Sequence, residues 1–272
     1  MVLPAYAGAL NTKVQRETAL ITGASSGIGR DLARLMAADF DLILVARSRD
    51  KLAELRKELE SQHSTHVHVM PADLSRPEAP DGLFAEIARR KLQVDVLINN
   101  AAFGLYGKFS TTGLLDELRM IQLNITTLTH LTKLALPGML ERKHGRIMNV
   151  ASTAGFQPGP LMAVYYATKA YVISFSEAIA NELRGTGVSM TCLCPGPTAT
   201  EFAAQAKVEK SRLFRLGAMS SVDVARAGLE GMLRGKALVI PGMTNKLLAQ
   251  SVRVSPRKLV TAISRKVLED AE

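Results

Sequence analysis

Tryptophan is absent from the 272 residues, aromatic side chains make up only 5 %, and cysteine occurs twice, at Cys192 and Cys194. Each scarcity excludes something. Two cysteines cannot build a disulfide framework. These two alternate along Val188-Ser-Met-Thr-Cys-Leu-Cys194, a strand-like run that turns both to one face, where they cannot easily bridge each other. They read as buried free thiols, which suits a reducing compartment. No apolar run approaches the roughly eighteen residues that a spanning helix needs. The opening Met1-Val-Leu-Pro-Ala-Tyr6 has no basic stretch ahead of an apolar one, so no secretory leader is indicated and a cytoplasmic location is expected. Aromatics that are few and not interleaved with Lys or Arg speak against nucleic acid as a partner. His66 and His68 share a strand face, but no Cys, Asp or Glu nearby completes a set of ligands, so no metal is expected.

What the chain has is 47 % hydrophobic residues, enough to bury a full core as one domain spanning 1–272. Short apolar runs alternate with helical patterns: Thr18–Thr22, Asp41–Ala46, His66–Met70, Asp95–Ile98, Arg146–Val150 and Ala237–Ile240. Between the second and third runs, Leu52, Leu55 and Leu59 make one apolar stripe among charged residues, an amphipathic helix packed on a sheet. Alternation of this kind predicts an α/β fold of Rossmann type, a doubly wound and mostly parallel sheet with helices on both faces. Ligands then bind outside the carboxyl ends of the strands, where a glycine turn, Asn99 and Ser152 all fall.

The glycine turn follows the first strand: Gly23-Ala-Ser25-Ser26-Gly27-Ile28-Gly29 leads into a helix marked by Leu32, Leu35 and Met36. The spacing is G-x-x-x-G-x-G, not G-x-G-x-x-G. An ordinary strand-to-helix turn needs one or two glycines. Three of them let backbone N–H groups approach a pyrophosphate at the positive end of a helix. Further along, Ser152 stands thirteen residues before Tyr165, and Lys169 stands four after it. On a helix expected from about Ala163 to Arg184, positions 165 and 169 share a face. A phenol with pKa about 10 is a poor proton carrier near neutrality, and a neighbouring ammonium is expected to lower it toward the working pH. The three side chains suit moving a proton onto or off an oxygen.

Together Thr22–Gly29, Asn99-Asn-Ala-Ala102, Ser152, Tyr165-Tyr-Ala-Thr-Lys169 and Pro195-Gly196 resemble the short-chain dehydrogenase/reductase family in its single-domain form, over residues 17 to 240. Ala102 departs from the usual Asn-Asn-Ala-Gly. The resemblance implies hydride transfer, with Tyr165 as general acid in carbonyl reduction, Lys169 lowering its pKa and holding the nicotinamide ribose, and Ser152 orienting the substrate oxygen. It makes Asn124 a fourth polar residue that extends a proton relay through water. It also implies cofactor contacts at Asp73-Leu74 with adenine, at Asn100 and Ala101, and at Pro195, Gly196, Thr198 and Thr200, the last anchoring the carboxamide. Helix capping is the alternative reading of Asp73.

After the second strand, Arg47 stands where NAD-selective folds place a carboxylate, with Ser48 and Ser25 as neutral donors, so NADP (NADPH) is the expected cofactor. A solvated loop charge is the alternative for Arg47. Apolar residues flank the expected pocket: Phe103, Leu105, Phe156, Leu161, Met162, Phe202, Leu213 and Phe214. They favour an apolar or acyl-chain-like ketone or aldehyde, with 199–218 as a lid. A carbonyl reductase is the first reading; a redox sensor that binds NADP(H) without turnover, or a membrane-surface protein, is the alternative.

Charge is uneven. The chain carries a net +9, and from Lys207 onward thirteen Lys or Arg face six Asp or Glu. Residues 243–272 form a basic helical extension broken at Pro256, for which a solvated face is the default and peripheral membrane contact or attraction of acidic substrates the alternatives. Tyr171, Phe175, Ile179 and Leu183 make an i+4 stripe on the Tyr165 helix. By resemblance, this helix packs against its copy in a homodimer or homotetramer.

Overall fold

A computed structural model of the chain describes residues 16–206, 208, 211 and 217–269. Seven strands form one parallel sheet in the order β3-β2-β1-β4-β5-β6-β9. They are β1 (Thr18–Thr22), β2 (Asp41–Ala46), β3 (Val67–Pro71), β4 (Val96–Asn99), β5 (Gly145–Val150), β6 (Val188–Leu193) and β9 (Leu238–Val239). The central β1 pairs with β2 on one side, Leu20 opposite Ile43, and with β4 on the other, Leu20 opposite Leu97. The chain therefore reverses its winding direction at β1, and a crevice opens beyond the carboxyl ends of β1 and β4.

Side-chain alternation along the strands builds a core on each face. Ala19 and Ile21 of β1, with Leu42 and Leu44 of β2, meet α1 (Gly27–Met36), α2 (Arg49–Gln62) and α8 (Ser221–Leu233) through Leu32, Met36, Leu52, Leu59 and Met232. Leu20, Ile43 and Leu97 point the other way. There α3 (Ala79–Arg89), α5 (Leu128–Glu141) and α6 (Ala163–Glu182) supply Leu83, Ile87, Leu131, Met139 and Ile179, with Leu183 capping α6. Burying strands on both faces explains why their sequences are apolar runs and not alternating ones. The strand boundaries shift from expectation by at most two residues, and α6 stops at Glu182 and not at Arg184.

Helix α2 starts where Ser48, as N-cap, accepts a hydrogen bond from the Lys51 N–H at 3.5 Å. Between α4 (Leu114–Ile121) and α5 the rod does not continue as a plain α-helix; Gln122–Thr127 is a π-helical turn. A 3₁₀ turn, Thr153–Phe156, leads from β5 toward α6. After β6 come β7 (Thr198–Ala199), α7 (Glu201–Ala206) and β8 (Met219–Ser220), the two strands pairing in a small separate sheet. The described chain closes with α9 (Met243–Val254) and α10 (Arg257–Leu268). Among the described residues no helix is long and apolar enough to cross a membrane.

Candidate active site

A cavity of about 1080 Å³ runs along the carboxyl ends of the strands. One end is walled by the turn between β1 and α1. Gly23 and Gly27 have φ of +67° and +53°, a backbone that side-chain-bearing residues rarely adopt. A Cβ on Gly27 would stand 3.0 Å from the Thr200 methyl, and one on Gly23 2.7 Å from Asn100 Nδ2. Ser25, Ser26 and Ile28 complete that wall. Gly29 does not line the cavity. Its missing Cβ leaves room for Asn100 Nδ2 and the Gly23 carbonyl, so this glycine serves close packing of α1 on the strand loops.

The turn is held from behind by Thr22 and Asn100. The Thr22 hydroxyl accepts the N–H of Asn100 and of Ala101, each at 3.0 Å, and donates to the Ile98 carbonyl at 3.2 Å. Asn100 Nδ2 donates back to the carbonyls of Thr22 (2.9 Å) and Gly23 (3.2 Å). A side chain whose polar atoms are all used on neighbouring backbone locks the loops after β1 and β4 together. Thr22 was not singled out in the sequence, because a Thr in a strand carries no signal of its own.

Farther along, β5 delivers Ser152 and α6 delivers Tyr165 and Lys169. The Ser152 side chain caps the 3₁₀ turn, accepting the Ala154 N–H at 3.1 Å, and donates to the Pro195 carbonyl at 3.4 Å. Tyr165 and Lys169 lie one turn apart on the buried face of α6, with the ammonium 5.8 Å from the phenol ring centroid. Lys169 Nζ donates to the Val150 carbonyl at 2.8 Å. Burial pulls its pKa down to about 8. The phenol departs from expectation. Burial raises its pKa above the usual 10, and the nearby Ser152 hydroxyl offsets only part of this. Loss of hydration is the largest influence on it and favours the protonated phenol. Its neighbour Tyr166, also beside the cavity, is pushed by burial up to about 12.

Two of the polar residues face elsewhere. Asn99 is buried in the core, donating to Thr132 Oγ1 (3.0 Å) and Asn149 Oδ1 (2.9 Å), and Asn149 donates on to Ser176. The expectation that Asn99 faces the ligand crevice is thus corrected: alternation at the end of β4 turns it inward and leaves the cavity to Asn100. Asn124 sits in the π-helical turn. Its Oδ1 accepts the Phe103 N–H at 3.2 Å, while Nδ2 donates to the Phe103 carbonyl (3.0 Å) and Thr168 Oγ1 (3.1 Å). It lies behind the cavity wall, tying the loop after β4 to α6.

At the polar end, Arg47, Ser48, Lys51, Asp73, Leu74 and Arg76 line the cavity. Asp73 forms no helix cap. It accepts the Ser75 hydroxyl (2.7 Å) and N–H (3.1 Å) in a local turn. Burial opposes its charge, but Ser75, Arg47 and Arg76 hold the carboxyl below its usual range. Lys51 reaches across the mouth to Glu201 at the start of α7, Nζ to Oε1 3.0 Å. The opposite end is apolar: Phe103, Leu105, Met162 and Phe202, with the Phe202 ring 5.3 Å from that of Tyr165. Phe156 packs instead with Val172 and Ile173, away from the cavity, and Leu161 lies outside its lining. Leu213 and Phe214, with most of the 207–216 stretch, fall outside the described residues. Ala102, Pro195, Gly196, Thr198 and Thr200 complete the wall between the two ends.

Residues 17–211 match the short chain dehydrogenase family. The chain belongs to that family. Among relatives of this dehydrogenase, the very-long-chain 3-oxoacyl-CoA reductase of Rattus norvegicus is 31 % identical over 240 residues, 85 % of this chain and 75 % of the relative. A putative ketoacyl reductase of Streptomyces coelicolor is 35 % identical over 76 % of this chain and 80 % of its own. Solved structures agree in fold. A short-chain dehydrogenase from Sphingobium yanoikuyae in complex with NADPH superposes with TM-score 0.78 at 31 % identity, covering 89 % of this chain and 97 % of that one. One from Burkholderia phymatum in complex with NAD gives TM-score 0.79 at 25 % identity, covering 95 % and 98 %. The short-chain dehydrogenase described here is therefore an oxidoreductase of Rossmann type. Its glycine cradle, free of Cβ atoms where a pyrophosphate would pass, and the exposed guanidinium of Arg47 fit a nicotinamide dinucleotide.

Proposed function

We propose that this short-chain dehydrogenase reduces the carbonyl of an apolar, acyl-chain-like ketone or aldehyde to an alcohol, with NADPH as reductant. The observation that carries the reading is the grouping of Ser152, Tyr165 and Lys169 in the wall of one cavity, between its polar and apolar ends. When bound, the nicotinamide supplies the hydride. Ser152 orients the carbonyl oxygen, and Tyr165 gives its proton to that oxygen as negative charge develops on it. A phenol kept protonated by burial suits this direction. Lys169 sits within reach to stabilise the phenolate that proton donation leaves behind. Phe103, Leu105, Met162 and Phe202 exclude water and take the apolar part of the substrate. Ketoacyl and 3-oxoacyl-CoA reductases among the relatives support a 3-oxoacyl chain as the substrate class.

For the cofactor, Gly23, Ser25, Ser26, Gly27 and Ile28 would hold the pyrophosphate, Gly29 sets the loop behind it, and Asp73 and Leu74 would take the adenine. Asn100, Ala101, Pro195, Gly196, Thr198, Thr200 and Lys169 would position the nicotinamide half. Arg47, beside Ser48, supports NADPH over NADH, because a guanidinium forks onto a 2′-phosphate. Asn124 acts here by positioning the loop of Phe103. We further propose a homodimer or homotetramer assembled through α4 and α6. Leu114, Leu115 and Leu118 stand 69 %, 69 % and 50 % exposed beside the stacked Tyr171 and Phe175.

The test follows the loss of NADPH absorbance against apolar ketones, aldehydes and 3-oxoacyl thioesters, with NADH and the Tyr165→Phe variant in parallel. Turnover abolished by Tyr165→Phe while NADPH still binds supports the reading; NADPH binding without turnover on any compound overturns it.

A further inference from the structure

From Met243 to Leu268 the chain has six Lys or Arg and no Asp or Glu. A solvated face is the ordinary fate of such a segment, and α2 shows what one looks like: its outer side mixes Asp, Glu, Lys and Arg while its leucines are buried. Helices α9 and α10 differ. In α9 the inward side is Asn245, Ala249 and Val252; one half-turn away stand Met243, Leu247 and Val254, exposed by 70 %, 65 % and 86 %. Lys246 and Arg253 flank that stripe. In α10, Val260, Ser264 and Leu268 face inward, while Leu259 and Ile263 are 53 % and 54 % exposed, with Lys266 beside them and Lys258 and Arg265 on the far flank. Each helix thus has a second apolar side that none of the described residues covers, bordered by cations.

We propose that α9 and α10 dock the protein on the surface of an anionic lipid bilayer, the apolar stripes entering the headgroup boundary and the flanking cations meeting lipid phosphates. The charge pattern selects this occupant. A symmetric contact with a second copy would set Lys246, Arg253 and Lys258 against their own equivalents, with no carboxylate on either helix to relieve the repulsion; Arg265 is paired with Glu269, just past α10, at 3.0 Å. A nucleic acid has no use for the exposed leucines, and neither helix carries an aromatic side chain for stacking. The docking side is also mechanically close to the chemistry. Leu268, on the inward side of α10, packs in one cluster with Tyr165, Met162 and Phe202, so the helix that would rest on the lipid also backs the apolar end of the cavity.

Sedimentation of the full chain with phosphatidylcholine vesicles, with and without phosphatidylglycerol, tests this. Binding to the anionic vesicles is expected, falling about tenfold or more with neutral vesicles, with high salt, or in Lys246→Gln/Arg253→Gln. Leu247→Ser/Val254→Ser is expected to lose binding at low salt while its thermal unfolding stays that of the parent, since both side chains are exposed. No sedimentation with anionic vesicles at low salt overturns the proposal, as does binding that survives both double variants. A parent that ignores vesicles, and whose mass by light scattering drops in Leu247→Ser/Val254→Ser, identifies a second copy as the occupant instead.

Discussion

Lys169 is a cation with 4 % of its surface exposed, and it donates to the Val150 carbonyl. Burial lowers its folded pKa from 10.5 to about 8. Between those two pH values the unfolded chain holds a proton that the folded chain has released, so folding stability rises with pH across that window. Below pH about 8 the folded state carries the full cost of the buried charge. Lys169→Met removes the group and its linkage. The stability of the parent relative to Lys169→Met is expected to increase by about 3 kcal/mol from neutral pH to beyond 10.5, measured by chemical denaturation. Activity is expected to move the other way: the proposed mechanism uses Lys169 as a charged ammonium, so kcat/KM is expected to fall as pH rises through about 8. Tyr165→Phe keeps the ring against Phe202 but removes the acid, and a loss in kcat of about a hundredfold to ten-thousandfold is expected with NADPH affinity retained. Arg47→Glu is expected to raise KM for NADPH by about tenfold or more and to leave KM for NADH nearly unchanged, a split that a merely solvated arginine would not produce.

At the scale of elements, the glycine turn and the π-helical turn place the chemistry. Gly29→Ala would drive a methyl into Asn100 Nδ2 and the Gly23 carbonyl, where backbone cannot yield cheaply. A cost of about 1–3 kcal/mol in denaturant unfolding is expected, together with weaker NADPH binding because the loop itself must move. The three glycines were legible in the sequence, but their division of labour was not: two need their backbone angles, and the third makes room for a helix. In the π-helical turn, Asn124→Ala would strand the Phe103 N–H and carbonyl and release Thr168, costing at least about 2 kcal/mol by the same measurement. Nothing in Leu-Asn-Ile distinguishes this turn from a plain helix, since an i to i+5 pattern arises from tertiary fit and carries no propensity of its own. Functional sites favour such turns, and here it lets one amide serve both the loop after β4 and α6.

At the scale of the whole molecule, two exposed apolar surfaces among the described residues differ in character. The α4–α6 side is leucine and stacked tyrosine and suits a copy of itself. Leu118→Glu is expected to lower the mass seen by light scattering toward that of one chain. The α9–α10 side is apolar and bordered mainly by cations, with Glu269 on Arg265 as a carboxylate at its end, and suits lipid. Sequence by itself determined much of the architecture. Strands buried on both faces must be apolar runs, and strict alternation of such runs with amphipathic helices admits few topologies, so the parallel sheet, the glycine turn, and Ser152, Tyr165 and Lys169 were all readable from local pattern. Tertiary structure alone decided what depends on surroundings. It turned Asn99 into the core and Asn100 to the cavity, and it gave Phe156 to packing while Phe202 went to the pocket. It raised the Tyr165 pKa by burial where spacing to a lysine suggested the reverse, and it turned the leucines of α9 outward. Spacing tells which groups are neighbours along the chain; desolvation and exposure depend on everything else that folds around them.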